Sequence, residues 1–158
     1  WVAWKAQARV DADPYTRAHF ARLGTLDLST EIATTYVART DDTGAAFDAS
    51  CAYVISGPQP AAQWWSITLF DSSGRLISNS ADRYSFTRDT VAISPDGVLK
   101  ISMARDAHEG NWLPFGNVNK FTLVLQLLQP DISLLAEESE DEGEITQAEL
   151  PSIKMVSC

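Results

Sequence analysis

The sequence predicts a mainly β fold, a jelly-roll-like antiparallel β-sandwich with one short N-terminal helix packed on it. Three observations lead to this prediction. Runs rich in β-branched and aromatic residues recur from residue 32 onward, turn residues separate these runs at short intervals, and only one segment has both the start and the stop residues of a helix. We therefore expect roughly eight short strands and no internal repeat.

The single helix is predicted over residues 13–24. Asp13 is a favoured N-cap residue, Pro14 is favoured at the first helical position, and Gly24 supplies the left-handed residue that often ends a helix. One face of this short helix is expected to pack on the sandwich. That face contains Tyr15, Ala18 and Arg22.

Two hairpins are predicted from turn residues between strand-like runs. The runs IATTYVA and FDASCAYVIS lie on either side of the turn DDTG. The runs DTVAIS and VLKISMA lie on either side of Asp96-Gly97, which is the strongest hairpin pattern in the chain. We therefore expect each pair of runs to form neighbouring antiparallel strands.

Three further runs predict strands. WWSITLF follows a proline-rich bend, and SIKMVSC closes the chain. FTLVLQLL is almost continuously apolar and ends at Pro130, a pattern typical of a strand that is buried on both faces.

Two adjacent tryptophans begin the WWSITLF strand. Neighbouring strand residues point to opposite faces, so these two rings diverge. The wholly apolar set is the better core face and comprises Trp65, Ile67 and Leu69. Trp64 then lies on a mixed face, either covered by the helix with Trp1 and Trp4, which we favour, or open as part of a binding surface.

Length and charge limit the classes of protein. A chain of 158 residues is expected to form one domain, 1–158. The net charge of −9 is concentrated in residues 136–149, which contain seven acids and no base, and we expect a mobile acidic insertion there. Because no cluster of lysine and arginine occurs, nucleic acid and an anionic membrane surface are not expected as partners. No apolar run is long enough to span a bilayer.

The two cysteines permit two interpretations. Cys51 lies in an apolar run, and Cys158 is the last residue. A disulfide between them would hold down the end of the chain and would require an oxidising compartment. Alternatively, both are thiols that pack as small apolar residues.

No catalytic motif is assembled in the sequence. Nucleophile elbows, phosphate-binding loops and helical zinc motifs do not occur, and neither a metal nor a cofactor is expected. His108 and Glu109 lie together in a loop, where a histidine and a carboxylate could act as a general base, or remain two solvated residues. Asp82 is the third weak catalytic candidate, on a different loop.

Aromatic residues are the better candidates for a binding surface. Five tryptophans occur in this chain, and each ring offers a large apolar face and one N–H donor. Core packing remains the commoner role for any one of them. The candidate binding residues are Trp112, Tyr84, Trp64 and Asn111.

In the order and spacing of several segments, the sequence resembles the domain of unknown function 1214 family. The matching segments cover most of the chain. They are DPYTRAHFARLGTLDL, CAYVISG, WWSITLFDSSGRLISN, Tyr84-Ser85, PDGVLKIS, NWLP, FTLVLQLLQP and the terminal Cys158.

The resemblance implies a β-rich, jelly-roll-like fold and no established function. Members of the family also form the C-terminal half of longer two-domain proteins, and short members resemble bacterial proteins with an N-terminal membrane helix and an exported domain. For this chain it implies a Cys51–Cys158 disulfide, a periplasmic location, and membrane attachment only through a segment upstream of Trp1. Where the family pattern has an arginine before the tryptophan pair, this chain has Gln63, so no charged site is carried over.

Two hypotheses for function follow. The first is a non-catalytic binding or structural module of the bacterial cell envelope, with an aromatic surface near Trp65, Trp112 and Tyr84 and a small molecule, glycan or envelope protein as its ligand. The second is a hydrolase or carbohydrate-active enzyme that uses Asp82, His108 and Glu109. The second hypothesis requires at least two of these three groups within hydrogen-bond reach of each other in one pocket.

Overall fold

A computed structural model describes residues 1–4, 8–9, 11–24, 28–131 and 150–158. The predicted acidic insertion, 136–149, lies outside these residues. The described elements are, in chain order, β1 (Val2–Ala3), α1 (Pro14–Leu23), β2 (Ala33–Ala38), β3 (Ala52–Gly57), β4 (Ala62–Asp71), β5 (Ser85–Thr87), β6 (Leu99–Ala104), β7 (Trp112–Pro114), β8 (Phe121–Pro130) and β9 (Ser152–Ser157). The predicted mainly β class with one short helix is confirmed.

The strands form two sheets. The first has the order β1-β2-β8-β4-β5, and the second has the order β7-β6-β3-β9. Their pairing is antiparallel, as predicted, except between β6 and β7, which are parallel. The jelly-roll connectivity stays a prediction.

The core lies between the two sheets and comes from the inward residues of both. In β4 the alternation is as predicted, because Trp65, Ile67 and Leu69 are buried whereas Trp64 is only partly buried. The central strand β8 is buried on one face only, which corrects the expectation of burial on both: it alternates, and Gln126 is exposed. Fully buried side chains from the two sheets include Trp65, Ile67, Leu123, Leu125, Leu127, Ile55, Ile101, Met103, Leu113 and Ile153.

The first predicted hairpin forms only next to its turn, where Thr40 and Ala46 make an isolated antiparallel bridge, and it does not extend into the two strands. Strands β2 and β3 belong to different sheets: β2 pairs with β1 and β8, and β3 pairs with β6 and β9. The turn between them is present, since the Asp41 carboxylate accepts hydrogen bonds from the backbone N–H groups of Thr43 and Ala45. The segment therefore connects the sheets instead of joining two strands of one sheet.

The second predicted hairpin is also wrong, although its turn is correct. Gly97 N–H donates to the Ser94 carbonyl at 2.8 Å, as expected of a tight turn at Asp96-Gly97. The preceding run is not a strand, because the Asn111 side chain forms hydrogen bonds with its backbone at Ala92. The Asn111 side chain accepts from Ala92 N–H and donates to the Ala92 carbonyl, the two groups that a partner strand would need.

Helix α1 begins and ends at the predicted residues but packs through a different face. The Asp13 carboxylate accepts from the N–H groups of Tyr15 and Thr16, and Gly24 takes the left-handed conformation with φ +65°. Tyr15 is 85% exposed, which contradicts the predicted packing face of Tyr15, Ala18 and Arg22. Among the helix residues whose burial is described, Thr16 is the buried one, and its hydroxyl donates to Asp13.

Cys51 and Cys158 form a disulfide, as the family resemblance implied. The bond joins the beginning of β3 to the end of the neighbouring strand β9, 107 residues later in the chain. A disulfide indicates an oxidising, exported location. Among the described residues, no helix has the length and hydrophobicity that a transmembrane span needs.

The edge strand β9 is held by a side chain from the turn after β2. Ile153 N–H donates to both carboxylate oxygens of Asp42 at 3.0 Å, and Asp42 N–H donates to the Ile153 carbonyl at 3.0 Å. Asp42 thus satisfies both backbone groups of Ile153 on the side of β9 that faces away from β3.

Two buried tyrosines differ in their hydrogen bonding and are expected to respond oppositely to loss of the hydroxyl. The Tyr36 hydroxyl has no hydrogen-bond partner among the described residues, and burial raises its pKa. We expect Tyr36→Phe to raise the free energy of unfolding by about 1 kcal/mol, because it removes an unsatisfied buried polar atom. The Tyr53 hydroxyl accepts from Asp48 N–H at 3.0 Å, so Tyr53→Phe is the matched control and should lower that free energy by about 1 kcal/mol.

Urea unfolding of the wild type and both variants provides the measurement. Destabilisation by Tyr36→Phe would contradict this expectation and reveal a buried partner, such as a water molecule, for the Tyr36 hydroxyl.

Candidate functional site

Two adjacent surface concavities lie where the edge strand β5 of the first sheet approaches β6 and β7 of the second. Their volumes are about 470 and 610 Å³. We name the first the Arg83 concavity; it is lined by Arg83, Ser85, Phe86, Thr87, Thr90, Ala92, Gly110 and Asn111. We name the second the Lys100 concavity; it is lined by Ala92, Ile93, Ser94, Lys100, Ser102, His108, Glu109, Gly110 and Asn111. Together they form the Asn111 groove, because they share Ala92, Gly110 and Asn111.

Asn111 builds the wall between the two concavities. Its amide nitrogen donates to the carbonyls of Ala92 at 2.7 Å and Lys100 at 2.9 Å, and its amide oxygen accepts from Ala92 N–H at 2.8 Å. These bonds attach the segment after β5 to strand β6. Asn111, a predicted binding residue, therefore lines the groove. Its side-chain amide is hydrogen-bonded to the backbone of the protein and holds the two sides of the groove together.

A second asparagine positions Arg83. The Asn79 side chain accepts from Arg83 N–H at 3.1 Å and donates to the Arg83 carbonyl at 3.0 Å. Between them, Asp82 has φ +47°, a left-handed conformation that is unfavourable for a non-glycine residue. The Arg83 guanidinium donates to the Trp112 carbonyl at 3.2 Å and lies 5.8 Å from the centre of the Phe86 ring. Its direction is therefore fixed by the fold.

Strand β6 and the loop after it supply the charged and polar lining of the Lys100 concavity. Leu99 and Ile101 are buried, so Lys100 and Ser102 project to the outer face of the sheet. The loop brings His108 and Glu109 to the same concavity, and both are exposed.

The polar lining is only partly used by the protein itself. Among the described residues, the hydroxyl groups of Ser85, Ser94 and Ser102 make no hydrogen bond, and neither Arg83 nor Lys100 forms a salt bridge. The described salt bridges are Arg9–Asp11 and Arg75–Asp71. Within the described ranges, the groove thus contains hydroxyl groups without a hydrogen-bond partner and cations without a salt bridge.

The predicted aromatic residues lie outside the lining. Trp112 is partly buried, and its indole N–H donates to the Ala104 carbonyl at 3.0 Å. The Tyr84 hydroxyl donates to Asp82 at 3.3 Å, and partial burial, together with this bond, raises the pKa of Tyr84. Trp65, which the first hypothesis placed near the surface, is fully buried.

Trp64 has a partner that the sequence did not indicate. Its indole N–H donates to the Asp89 carboxylate at 3.0 Å. Trp1 instead donates to the Pro151 carbonyl at 2.8 Å, and Trp4 stacks on His19 with ring centres 4.2 Å apart. These contacts give the three tryptophans different partners, and the covering of Trp64 by the helix stays a prediction.

The three catalytic candidates are not brought together. His108 and Glu109 line the Lys100 concavity but make no hydrogen bond to each other, and Asp82 lines neither concavity. Within the described ranges, no group of three histidine, cysteine or acidic side chains is arranged to hold a metal ion. The requirement set for the enzyme hypothesis is therefore not met by the described geometry.

Arg83 and Lys100 are the two positively charged lining residues that were not predicted as site residues from the sequence. Lys100 had a usable pattern, because alternation in VLKISMA places it on an exposed face. Arg83 had none, because its position depends on the side chain of Asn79 and on a carbonyl of β7.

The packed sheets define a mainly β protein with two sheets, one short helix and a polar surface groove. The chain belongs to the family of proteins of unknown function known as DUF1214, whose family model matches residues 32–132. This confirms the resemblance noted in the sequence.

A solved structure has a similar fold. The VPA0106 protein from Vibrio parahaemolyticus is similar with a TM-score of 0.72 and 24% sequence identity; the similarity covers 92% of this chain and 36% of that one. A putative uncharacterized protein from Burkholderia cenocepacia has a TM-score of 0.47 and 15% identity over 94% of this chain and 45% of that one. This chain thus spans less than half of either protein. Among curated proteins, none is significantly similar.

Proposed function

We propose that the protein is a non-catalytic binding module of the bacterial cell envelope, which binds a small hydroxyl-rich molecule in the Asn111 groove. The observation that carries this proposal is the set of serine hydroxyl groups on both sides of Asn111 that have no hydrogen-bond partner in the part of the chain that the structure describes. Hydroxyl groups and amides that converge on a concave surface are suited to orient a polar ligand. The disulfide supports an oxidising compartment, and a periplasmic, membrane-anchored location is part of the proposal.

Saccharides are the class of ligand to test first. Their many hydroxyl groups both donate and accept hydrogen bonds, as do serine hydroxyl groups. The groove is shallow and open, which favours a ligand that remains partly solvated.

The test is an NMR titration of the isotope-labelled protein with maltotriose, cellotriose, chitotriose and trigalacturonate. We expect at least one of these probes to shift the backbone amide signals of Ala92, Gly110 and Asn111. Ala92→Trp fills the shared part of the groove and should abolish these shifts. Ala107→Trp is the matched control, because Ala107 is equally exposed but does not line the groove. Absence of shifts in the groove with all four probes would overturn the proposal.

The alternative function is a hydrolase or carbohydrate-active enzyme. Its supporting observation is that His108 and Glu109 line one concavity. Such enzymes usually place two carboxyl groups on either side of the scissile bond, and among the lining residues Glu109 is the one carboxylate. Release of reducing ends from the same four probes, lost on Glu109→Gln, would establish the enzyme instead of the binding module.

A further inference from the structure

The Asn111 groove has an uneven charge distribution. In the described lining, the Arg83 concavity contains one cation and no carboxylate, whereas the Lys100 concavity contains Lys100, His108 and Glu109. The whole chain has a net charge of −9. An unpaired arginine in a concavity without carboxylates is therefore a local site for negative charge on an acidic protein.

Arg83 has the geometry of an anion receptor. One of its terminal nitrogens donates to the Trp112 carbonyl, and no other hydrogen bond of the guanidinium occurs among the described residues, so most of its five N–H donors are left for a ligand in the concavity that Arg83 lines. A guanidinium presents parallel donors that match the paired oxygens of a carboxylate or a phosphate. Ser85 lines the same concavity with a hydroxyl group that no described residue uses.

The position of Arg83 is fixed before any ligand binds. Asn79 holds both backbone groups of Arg83, and the strained residue Asp82 directly precedes it. Phe86 and the Trp112 carbonyl then restrict the guanidinium. Because the side chain is already ordered, a ligand loses little free energy in ordering it.

The Lys100 concavity favours the uncharged part of such a ligand. The opposite charges of Lys100 and Glu109 offset each other there, so this concavity attracts an anionic group less than the Arg83 concavity does. Glu109 accepts hydrogen bonds from sugar hydroxyl groups, and the hydroxyl groups of Ser94 and Ser102 have no partner among the described residues. The two concavities meet at Asn111, so one ligand can extend across both.

We propose that the Asn111 groove binds an anionic saccharide, with its acidic group on Arg83 and its neutral hydroxyl groups in the Lys100 concavity. This inference rests on the proposed function and adds to it the chemical class and the orientation of the ligand. The acidic group is either the carboxylate of a uronic acid or the phosphate of a sugar phosphate, because both present negatively charged oxygens to Arg83.

The main experiment compares trigalacturonate with its fully methyl-esterified form, which keeps the hydroxyl groups but loses the charge. Titrations are followed at the amide signals of Gly110 and Asn111. We expect the acid to bind at least about tenfold more tightly than the ester. Arg83→Gln should remove this difference, whereas Arg22→Gln, which loses the same charge at an exposed position outside the groove, should retain it.

A second variant and a second pair of probes complete the test. Arg83→Lys keeps the charge without the parallel donors and should retain part of the preference, which separates a binding defect from misfolding. Glucose 6-phosphate, galacturonate and glucose distinguish the sources: tighter binding of the phosphate or of the carboxylate, relative to glucose, supports the inference and assigns the acidic group.

The inference and the proposed function fail in different ways. Equal binding of the acid and the ester in the groove would overturn the anion site and leave the binding module intact. Binding of the acid that Arg83→Gln does not weaken would also overturn the inference. Absence of groove shifts with every neutral and acidic saccharide would overturn the proposed function itself.

Discussion

Replacing Trp65 with alanine is expected to lower the free energy of unfolding by about 3–5 kcal/mol. The Trp65 side chain is fully buried between the sheets, and its removal loses apolar contacts and leaves a cavity that the surrounding residues fill only in part. Its indole N–H has no partner among the described residues, so the substitution breaks no described hydrogen bond, and removal of this unsatisfied polar atom offsets only a small part of the loss.

Trp64 is the matched control, because it is the same residue type at the adjacent position of the same strand. It is only partly buried and makes one hydrogen bond, to Asp89. Trp64→Ala should therefore cost no more than about 1.5 kcal/mol. Chemical denaturation of both variants gives the comparison, and equal losses would contradict the assignment of the two faces.

Loss of the disulfide is the second large expected effect. The Cys51→Ser, Cys158→Ser double variant should lose about 4–5 kcal/mol in the chain-entropy model, because the bond closes a loop of more than one hundred residues in the unfolded chain. For a chain of this length, each kcal/mol corresponds to roughly 2–4 °C in Tm, so Tm should fall by about 8–20 °C.

Differential scanning calorimetry with and without dithiothreitol measures this effect. The reductant should lower Tm of the wild type toward that of the double variant, and it should leave Tm of the double variant unchanged. If the two proteins have the same Tm under oxidising conditions, the bond contributes no stability.

Features that depend on neighbouring residues were predictable from the sequence. The N-cap and C-cap of α1 lie at Asp13 and Gly24, as predicted, because capping is determined within a few residues. The burial of Trp65 follows from the two-residue period of β4. The disulfide was implied by the family resemblance, whereas the residues alone permitted two free thiols.

Features that depend on distant partners were not predictable. The Asp96-Gly97 pattern correctly indicates a turn, but whether the run before it becomes a strand depends on Asn111, which takes the backbone groups of Ala92. The same limit applies to β2 and β3, since the turn between them does not determine which sheet each strand joins.

The candidate site shows this limit most clearly. Aromatic content pointed to Trp112 and Tyr84, but the polar atoms of both side chains are bound to the protein itself. The residues that define the groove are Asn79, Arg83, Lys100 and Asn111. Asn79 and Asn111 each hold both backbone groups of one residue, a role that residue type alone does not reveal.

The pairing of Asp42 with Ile153 affects how copies of the protein can associate through the edge of the second sheet. An incoming strand would need the N–H and carbonyl of Ile153 to extend the second sheet along β9, and Asp42 already holds both. What remains of β9 is shorter than a typical strand and begins beside a negative charge. We therefore expect Asp42 to hinder extension of this sheet edge by a strand from a second copy of the protein.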